Sequence, residues 1–404
     1  MKQNNVIGAS ILVAALGYFV DIYDLVLFSI VRIKSLKAIG ILDADLLSQG
    51  VFLLNMQMAG MLLGGILWGI LGDKKGRLSV LFGSIFLYSL ANLANAFVVS
   101  VPVYAALRFV AGVGLAGELG AGITLVSEVM PKETRGYGTM IVATIGILGA
   151  VVAALVGDLF DWRVAYVVGG VLGLLLLFLR IGVFESGMFD TLKTKNVRRG
   201  SFSTIFKDAD STLKYLSCIL IGIPIWFVIG ILITFSPEFG KALHLSFTPD
   251  PGKAIMFAYI GLALGDFSSG SLAQVFKSRK KIATAFILLT AVFITAYLLN
   301  EHASQGIFYA NCLALGFAVG YWAVFVTIAS EQFGTNIRST VTTTVPNFVR
   351  GAVLPLTFSF QMLKPHLEII GSAAFVGALS IIIALVSVNY LDETHEKDLD
   401  YVEG

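Results

Sequence analysis

The 404-residue chain is 57% hydrophobic and only 13% charged, with a net charge of +2, where an ordinary soluble domain holds about 25% charged residues. Its 28 Lys and Arg with 26 Asp and Glu cannot form the polar shell of a soluble fold this long, nor a basic patch for nucleic acid. Composition therefore excludes soluble enzymes and nucleic-acid binders, and leaves an integral membrane protein.

A bilayer core takes about 20 apolar residues per helix. Runs bounded by charge, Gly/Pro or polar clusters predict twelve spans, at 7–31, 51–71, 78–98, 102–129, 138–159, 163–184, 214–236, 254–276, 282–299, 304–330, 340–363 and 368–391. The first run is too long for a signal peptide and lacks a cleavage site, so it is expected to stay as a helix. The longest polar interval divides the chain into a six-helix bundle (1–184), a linker (185–213), a second six-helix bundle (214–391) and an acidic tail (392–404). The tail's composition predicts disorder. Within the linker, "SFSTIF" (201–206) resembles a helix lying on the membrane surface. The fold class is all-α integral membrane.

Most basic residues outside the spans fall on the side of the N-terminus, which predicts a multi-pass plasma-membrane protein with both termini cytoplasmic. Arg32, Lys34 and Lys37, in the first outer loop, run against that trend. Cys218 and Cys312 lie inside apolar runs, with no disulfide framework and no zinc spacing. The two halves also resemble each other. "SEVMPKETRG" (127–136) matches "SEQFGTNIRS" (330–339), and "GDKKGR" (72–77) has a counterpart in "KSRKK" (277–281). Parallel six-helix repeats are a transporter architecture, with the substrate site near the midplane between the halves.

Four segments carry a family resemblance. "GILGDKKGR" (69–77) resembles the loop motif of the major facilitator superfamily, with Gly69, Asp73, Gly76 and Arg77 at matching positions. "RFVAGVGLAGE" (108–118) is similar to that superfamily's fourth-helix motif, and "PKETRG" (131–136) to the turn that follows. "GYFVDIYDLVLF" (17–28) resembles the D-x-Y-D element of its metabolite:proton and phosphate:proton symporter branches. The seventh helix lacks the acid of the phosphate branch, which argues against phosphate. The resemblance implies alternating access of two bundles. It also implies a cytoplasmic latch built from Gly69, Asp73, Gly76, Arg77, Glu128 and Arg135, for which a solvated loop is the plainer alternative.

An ionisable residue at the centre of a spanning helix costs at least about 2.5–3.5 kcal/mol, so each is a functional candidate. Six stand out: Asp21, Asp24, Arg108, Glu118, Asp266 and Arg350. With a rise of about 1.5 Å per residue, Asp24 lies closest in depth to Arg108, while Asp266 and Arg350 both fall near their helix midpoints. Asp24 and Glu118 are the leading proton carriers, Arg108 is their partner, and Asp21 is a less well-spaced candidate. The alternative is a permanent ion pair locking helices one and four.

Arg350 offers a fixed fork of donors to a substrate anion that would bridge the halves; the alternative is a salt bridge to Asp266. Pro346 and Asn347 are expected to open the helix just before it. Asn55, Gln57, Trp226, Tyr321 and Trp322 could line the cavity or simply pack, and Gly112, Gly114, Gly117, Gly120 and Gly122 permit close helix approach.

The expected activity is proton-coupled uptake of a small polar metabolite, with an organic carboxylate favoured. Four intramembrane acids against two Arg keep open a carrier or exporter of a cationic or zwitterionic solute. A non-transporting sensor on the same fold is the rival of another class. No HExxH, GxSxG or Walker A sequence occurs, so no enzyme, cofactor or metal is expected. The expected partners are the substrate, protons and the bilayer, around a monomer.

Overall fold

The computed structural model describes residues 2–75, 77–118, 135–185, 205–206, 208–334 and 337–395. Its helices are numbered as twelve rods. The first six are α1 (Lys2–Ala38), α2 (Leu46–Lys75), α3 (Arg77–Asn95), α4 (Val101–Leu115), α5 (Arg135–Leu159) and α6 (Trp162–Glu185). Rod α7 is broken into Ala209–Leu220, Ile223–Phe227, a π-helical turn Val228–Ile233 and Ser236–Ala242. It is followed by α8 (Pro251–Val275), α9 (Arg279–Leu298) and α10, in two pieces, Gln305–Ala318 and Trp322–Gln332. Helix α11 starts as Arg338–Gly351 and continues into Val353–Tyr390, which breaks at Glu368 (φ 55°, ψ −171°); α12 is the part beyond that break. The near side below is the one where α1 begins, and the far side is where it ends.

The spans match the predicted ones except at their edges. Helix α1 runs on to Ala38, because Arg32 and Ser35, which the sequence places in a loop, are fully buried against other helices. The predicted continuation of α4 to residue 129 lies outside the described residues, as does most of the 185–213 linker with its surface helix. Helix α7 starts at Asp208, whose carboxylate accepts the Ser211 N–H at 2.7 Å. That N-cap bond holds the Asp208 carboxyl below the usual range. The acidic tail departs from expectation at its root. Glu393 accepts from the backbone N–H of Arg279 (3.0 Å) and Lys280 (3.3 Å), and Lys280 Nζ donates to the Leu391 carbonyl at 2.7 Å. Residues 392–395 are thus fastened to the free N–H groups at the start of α9.

Packing repeats between the halves. Helix α2 packs on α4 as α8 packs on α10, α3 on α6 as α9 on α12, and α1 on α5 as α7 on α11. Glycines set the close approaches in register. A Cβ on Gly60 would strike the Phe109 backbone, and one on Gly112 the Gln57 backbone. In the second half Gly261 meets Leu313 and Gly316 meets Ala258 in the same way. Small residues let helix backbones touch where lipid supplies no hydrophobic drive. The two seams between the halves, α2 on α11 and α5 on α8, exchange when each helix is replaced by its counterpart six along. The bundles therefore face each other across an approximate two-fold relation.

Placing a side chain in these glycine contacts forces backbones apart. Gly112→Val and Gly316→Val are each expected to destabilise by at least about 1–3 kcal/mol, read as a lower melting temperature in detergent. Gly270→Ala, where a Cβ meets nothing within 4 Å, is expected to be silent.

Candidate functional site

Helix α1 presents two polar faces, and they meet different halves of the molecule. Asp21, Ser29 and Arg32 face the second half, and Tyr18 beside them packs on Gly146 of α5. Asp24, Phe28 and Ser35 face α4 and α6. Positions three, four, seven or eight residues apart share one side of a helix, so one helix serves two clusters.

At the centre, Asp21 Oδ2 lies 3.6 Å from Arg350 Nη2, an ion pair joining α1 to α11 across the two halves. Both side chains are essentially inaccessible to solvent. The Arg350 guanidinium sits 5.6 Å from the centre of the Trp322 ring. Its Nε and Nη1, the indole Nε1 of Trp322 and of Trp226, and both Asp21 oxygens have no hydrogen-bond partner in the protein. Tyr18 of α1 and Tyr259 of α8 lie within electrostatic reach of this pair. A buried polar atom without a partner is costly, and here donors and an aromatic face converge between the bundles.

Asp266 is not the partner of Arg350 that its depth suggested. Its Oδ1 accepts the Ala323 N–H at 3.0 Å, which satisfies a backbone donor freed where α10 breaks. Tyr321 lies at the same break, and its hydroxyl donates to the Ile221 carbonyl at 2.9 Å, where α7 is interrupted. Depth along a helix does not say which face a residue occupies, and neighbouring broken backbones compete for the acid. Asn347 Nδ2 donates to the Thr343 carbonyl and, across the halves, to the Ala116 carbonyl, both at 2.8 Å. The hydroxyl of Thr357 donates to Asn55 Oδ1 at 2.8 Å, another contact between halves.

The first half holds a second cluster. Arg108 of α4 is hydrogen-bonded to Gln57 of α2, and Gln57 Nε2 donates to the Leu25 carbonyl at 3.2 Å. The guanidinium lies 5.2 Å from the Phe28 ring centre and 5.9 Å from that of Tyr166. Asp24 lies within electrostatic reach of Arg108, and the Asn92 side chain of α3 also faces its carboxylate. Glu118 has a different partner. Arg180 of α6 grips it through both terminal guanidinium nitrogens, the Nη1–Oε2 bond being 3.0 Å. A Cβ on Gly17 would collide with that pair, so α1 closes over it. Arg180 escapes notice in the sequence because it lies near the end of a span, where a charge is ordinarily solvated.

A third charge pair lies at the far end. Arg32 Nη1 is 2.8 Å from Glu238 Oε1, linking α1 to α7. Arg32 also reaches the Leu46 and Thr234 carbonyls and lies 4.7 Å from the centre of the Phe235 ring. The Thr234 hydroxyl donates to Ser29 Oγ at 3.2 Å, again across the halves. With Arg32 and Arg180 counted, buried acids no longer outnumber buried guanidiniums. Of the expected near-side latch, Gly69 is buried beside Thr344 of α11. Gly76 and Glu128, and the side chains of Asp73, Arg77 and Arg135, lie outside the described residues. No cluster of metal-binding side chains occurs among the described residues.

Two related helical bundles, with buried ion pairs between them at Asp21–Arg350 and Arg32–Glu238 and a further charge cluster inside the first bundle, have the architecture of a secondary transporter, a multi-pass membrane protein and not an enzyme. The chain belongs to the Major Facilitator Superfamily, whose family model matches residues 6–353. A Bacillus subtilis protein named as a candidate niacin/nicotinamide transporter, NiaP, is 28% identical over 363 residues, covering 87% of this chain and 86% of that one. The 3-(3-hydroxy-phenyl)propionate transporter of Escherichia coli is 28% identical over 320 residues, with 76% and 77% covered. The proton:xylose symporter XylE shares the fold, with a TM-score of 0.72 over 98% of each chain at 18% identity.

Proposed function

We propose that this transporter imports a small organic carboxylate, an aromatic one by preference, together with a proton. The observation that carries the reading is the Asp21–Arg350 pair between the halves, with guanidinium donors unpartnered beside the Trp322 ring. An incoming carboxylate takes the Arg350 donors in a planar, two-point contact, and a ring on the substrate lies against Trp322. A proton on Asp21 frees the guanidinium for the substrate.

Charge explains why the two travel together. The resting pair is neutral overall, and so is the site holding one proton and one carboxylate. Either one alone leaves a net charge in the membrane interior, which costs several kcal/mol. Paired loading is then the low-energy route, and closing the halves on Arg350 and Asp21 links occupancy to conformation. Two relatives named for niacin and for 3-(3-hydroxy-phenyl)propionate, both aromatic acids, support the substrate class. In this reading the near side is cytoplasmic, in keeping with the basic residues there, and the membrane is the plasma membrane.

The test is uptake into proteoliposomes of niacin, gentisate, 3-(3-hydroxyphenyl)propionate, xylose and choline, with and without an inward proton gradient. The acids are expected to enter and the gradient to stimulate them. Uptake confined to choline or xylose would overturn the substrate class, and acid uptake indifferent to the gradient would overturn the coupling.

A further inference from the structure

Two histidines meet at the far face, in loops of the second half. His244 follows the last turn of α7, and His302 lies between α9 and α10. The His302 N–H donates to the Leu243 carbonyl at 3.0 Å, and the two rings stack with their centres 5.9 Å apart. His302 Nδ1 is 3.1 Å from the His244 carbonyl. A carbonyl only accepts, so Nδ1 carries the proton and Nε2 keeps its lone pair. Both residues are exposed. Among the described residues, neither nitrogen of the His244 ring has a hydrogen-bond partner. The backbone adds a second observation. His244 (φ 53°) and His302 (φ 54°) both lie in the left-handed region, which a side chain enters at a cost. At the end of α1, the counterpart of α7, the same turn is made with Gly40 (φ 89°). There the N–H groups of Gly40 and Ile41 bond to the Lys37 and Leu36 carbonyls, as those of His244 and Leu245 bond to Lys241 and Gly240. Glycine is the ordinary residue for this helix-ending turn. The His302 ring has its carbonyl to hold, but the fold makes no use of an imidazole at 244.

We propose that His244 and His302 together bind a divalent transition-metal ion, such as zinc, from the medium at the far face. Neutral imidazole suits such ions. A ligating histidine ordinarily donates its other ring N–H to a carbonyl or carboxylate, which fixes the tautomer and raises its basicity. His302 is held that way in advance. Zn–N bonds of about 2.0–2.1 Å let two ligating rings lie up to about 6.4 Å apart, centre to centre. A separation of 5.9 Å is within that reach, and a turn of the exposed His244 side chain brings its free nitrogen to the ion. Lys241 and Glu301, the charged residues nearest in sequence, are of opposite sign. Two imidazoles are fewer than the three or four protein ligands of a resident zinc centre, so water completes the shell and the ion exchanges with the medium. The bound ion joins the α7–α8 loop to the α9–α10 loop. It thereby clamps the end of α7, the segment Ser236–Ala242 that carries Glu238.

The test titrates zinc and magnesium chlorides into the purified full-length protein, free of any histidine tag, with calorimetry and melting temperature as readouts. Wild-type protein is expected to bind one zinc ion and to melt higher with it. Magnesium, which prefers oxygen ligands, is expected to do neither. His244→Gly is expected to fold as well as wild type, since glycine suits the left-handed turn, yet to bind zinc at least about tenfold more weakly. His302→Ala is expected to lose zinc to the same degree, and His366→Ala, an exposed histidine of α11, to keep it. Copper(II) counts the ligands directly. Its paramagnetic resonance spectrum is expected to show two coupled nitrogens in wild type and one in His244→Gly, a result that does not depend on how stable the variant is. Failure of the wild type to bind zinc overturns the site. So does unchanged zinc affinity in His244→Gly, or an equal loss in His366→Ala.

Discussion

Replacing Arg350 with Gln is expected to abolish transport, and the partner substitution is expected to uncouple it instead. Arg350→Gln removes the guanidinium fork and strands Asp21 in the membrane interior. Truncating one partner of a buried, hydrogen-bonded charge pair between two binding partners costs about 2–5 kcal/mol, so binding of the substrate carboxylate is expected to weaken by at least about 30-fold. Arg350→Lys is expected to fail nearly as badly, since a point charge cannot reproduce the planar two-point contact. Asp21→Asn behaves differently. The guanidinium keeps its charge with no acid opposite, so a carboxylate alone now neutralises the site. Counterflow exchange is expected to survive, while accumulation against a gradient is lost. The double variant Asp21→Asn, Arg350→Gln is expected to recover thermal stability without recovering uptake. Accumulation by Asp21→Asn at the wild-type level would remove Asp21 from the coupling step.

Opening of the far side is expected to follow loss of the Arg32–Glu238 pair. Arg32 is fully buried and Glu238 keeps 15% of its side chain exposed, so the acid is the member that can be removed with least disturbance to packing. Glu238→Gln leaves a buried guanidinium facing a neutral amide. If about 3 kcal/mol of the closed arrangement resides in the pair, its population relative to the open one falls by about 100-fold. The measurement is labelling by a membrane-impermeant maleimide of Ser29→Cys, whose position faces Thr234 across the halves. Native Cys218 and Cys312 are buried and stay silent. Faster labelling in Glu238→Gln is expected, as is its reversal in the swap Arg32→Glu, Glu238→Arg. Equal labelling rates in all variants would show that apolar packing, not the ion pair, holds this end shut.

The same residues show what could be read before the fold was known. The twelve spans were legible because a bilayer demands long apolar runs, and the duplication because the segments at 127–136 and 330–339, and at 72–77 and 277–281, match each other. Arg32 could have been noticed from its position on the Asp21 face of α1, three turns further along. Arg180 had no such signal, for a charge near a span's end is usually in water. The Asp266–Arg350 pairing failed because Asp266 was needed by the broken backbone of α10, and backbone breaks leave only a weak trace in sequence.

The scarcity of charge by itself determined that this is a membrane protein, which helices cross, and which few charges had to be explained. Hydropathy is a property of each segment taken alone, so a single sequence suffices for it. Only the tertiary structure decided that Asp21 meets Arg350, that Glu118 meets Arg180, and that Asp24 faces into its own bundle. Those outcomes depend on the rotation of each helix about its axis, which is set by glycine contacts between backbones far apart in the chain. Asp21 and Asp24 are three residues apart, and that small turn places one between the halves and the other inside one of them.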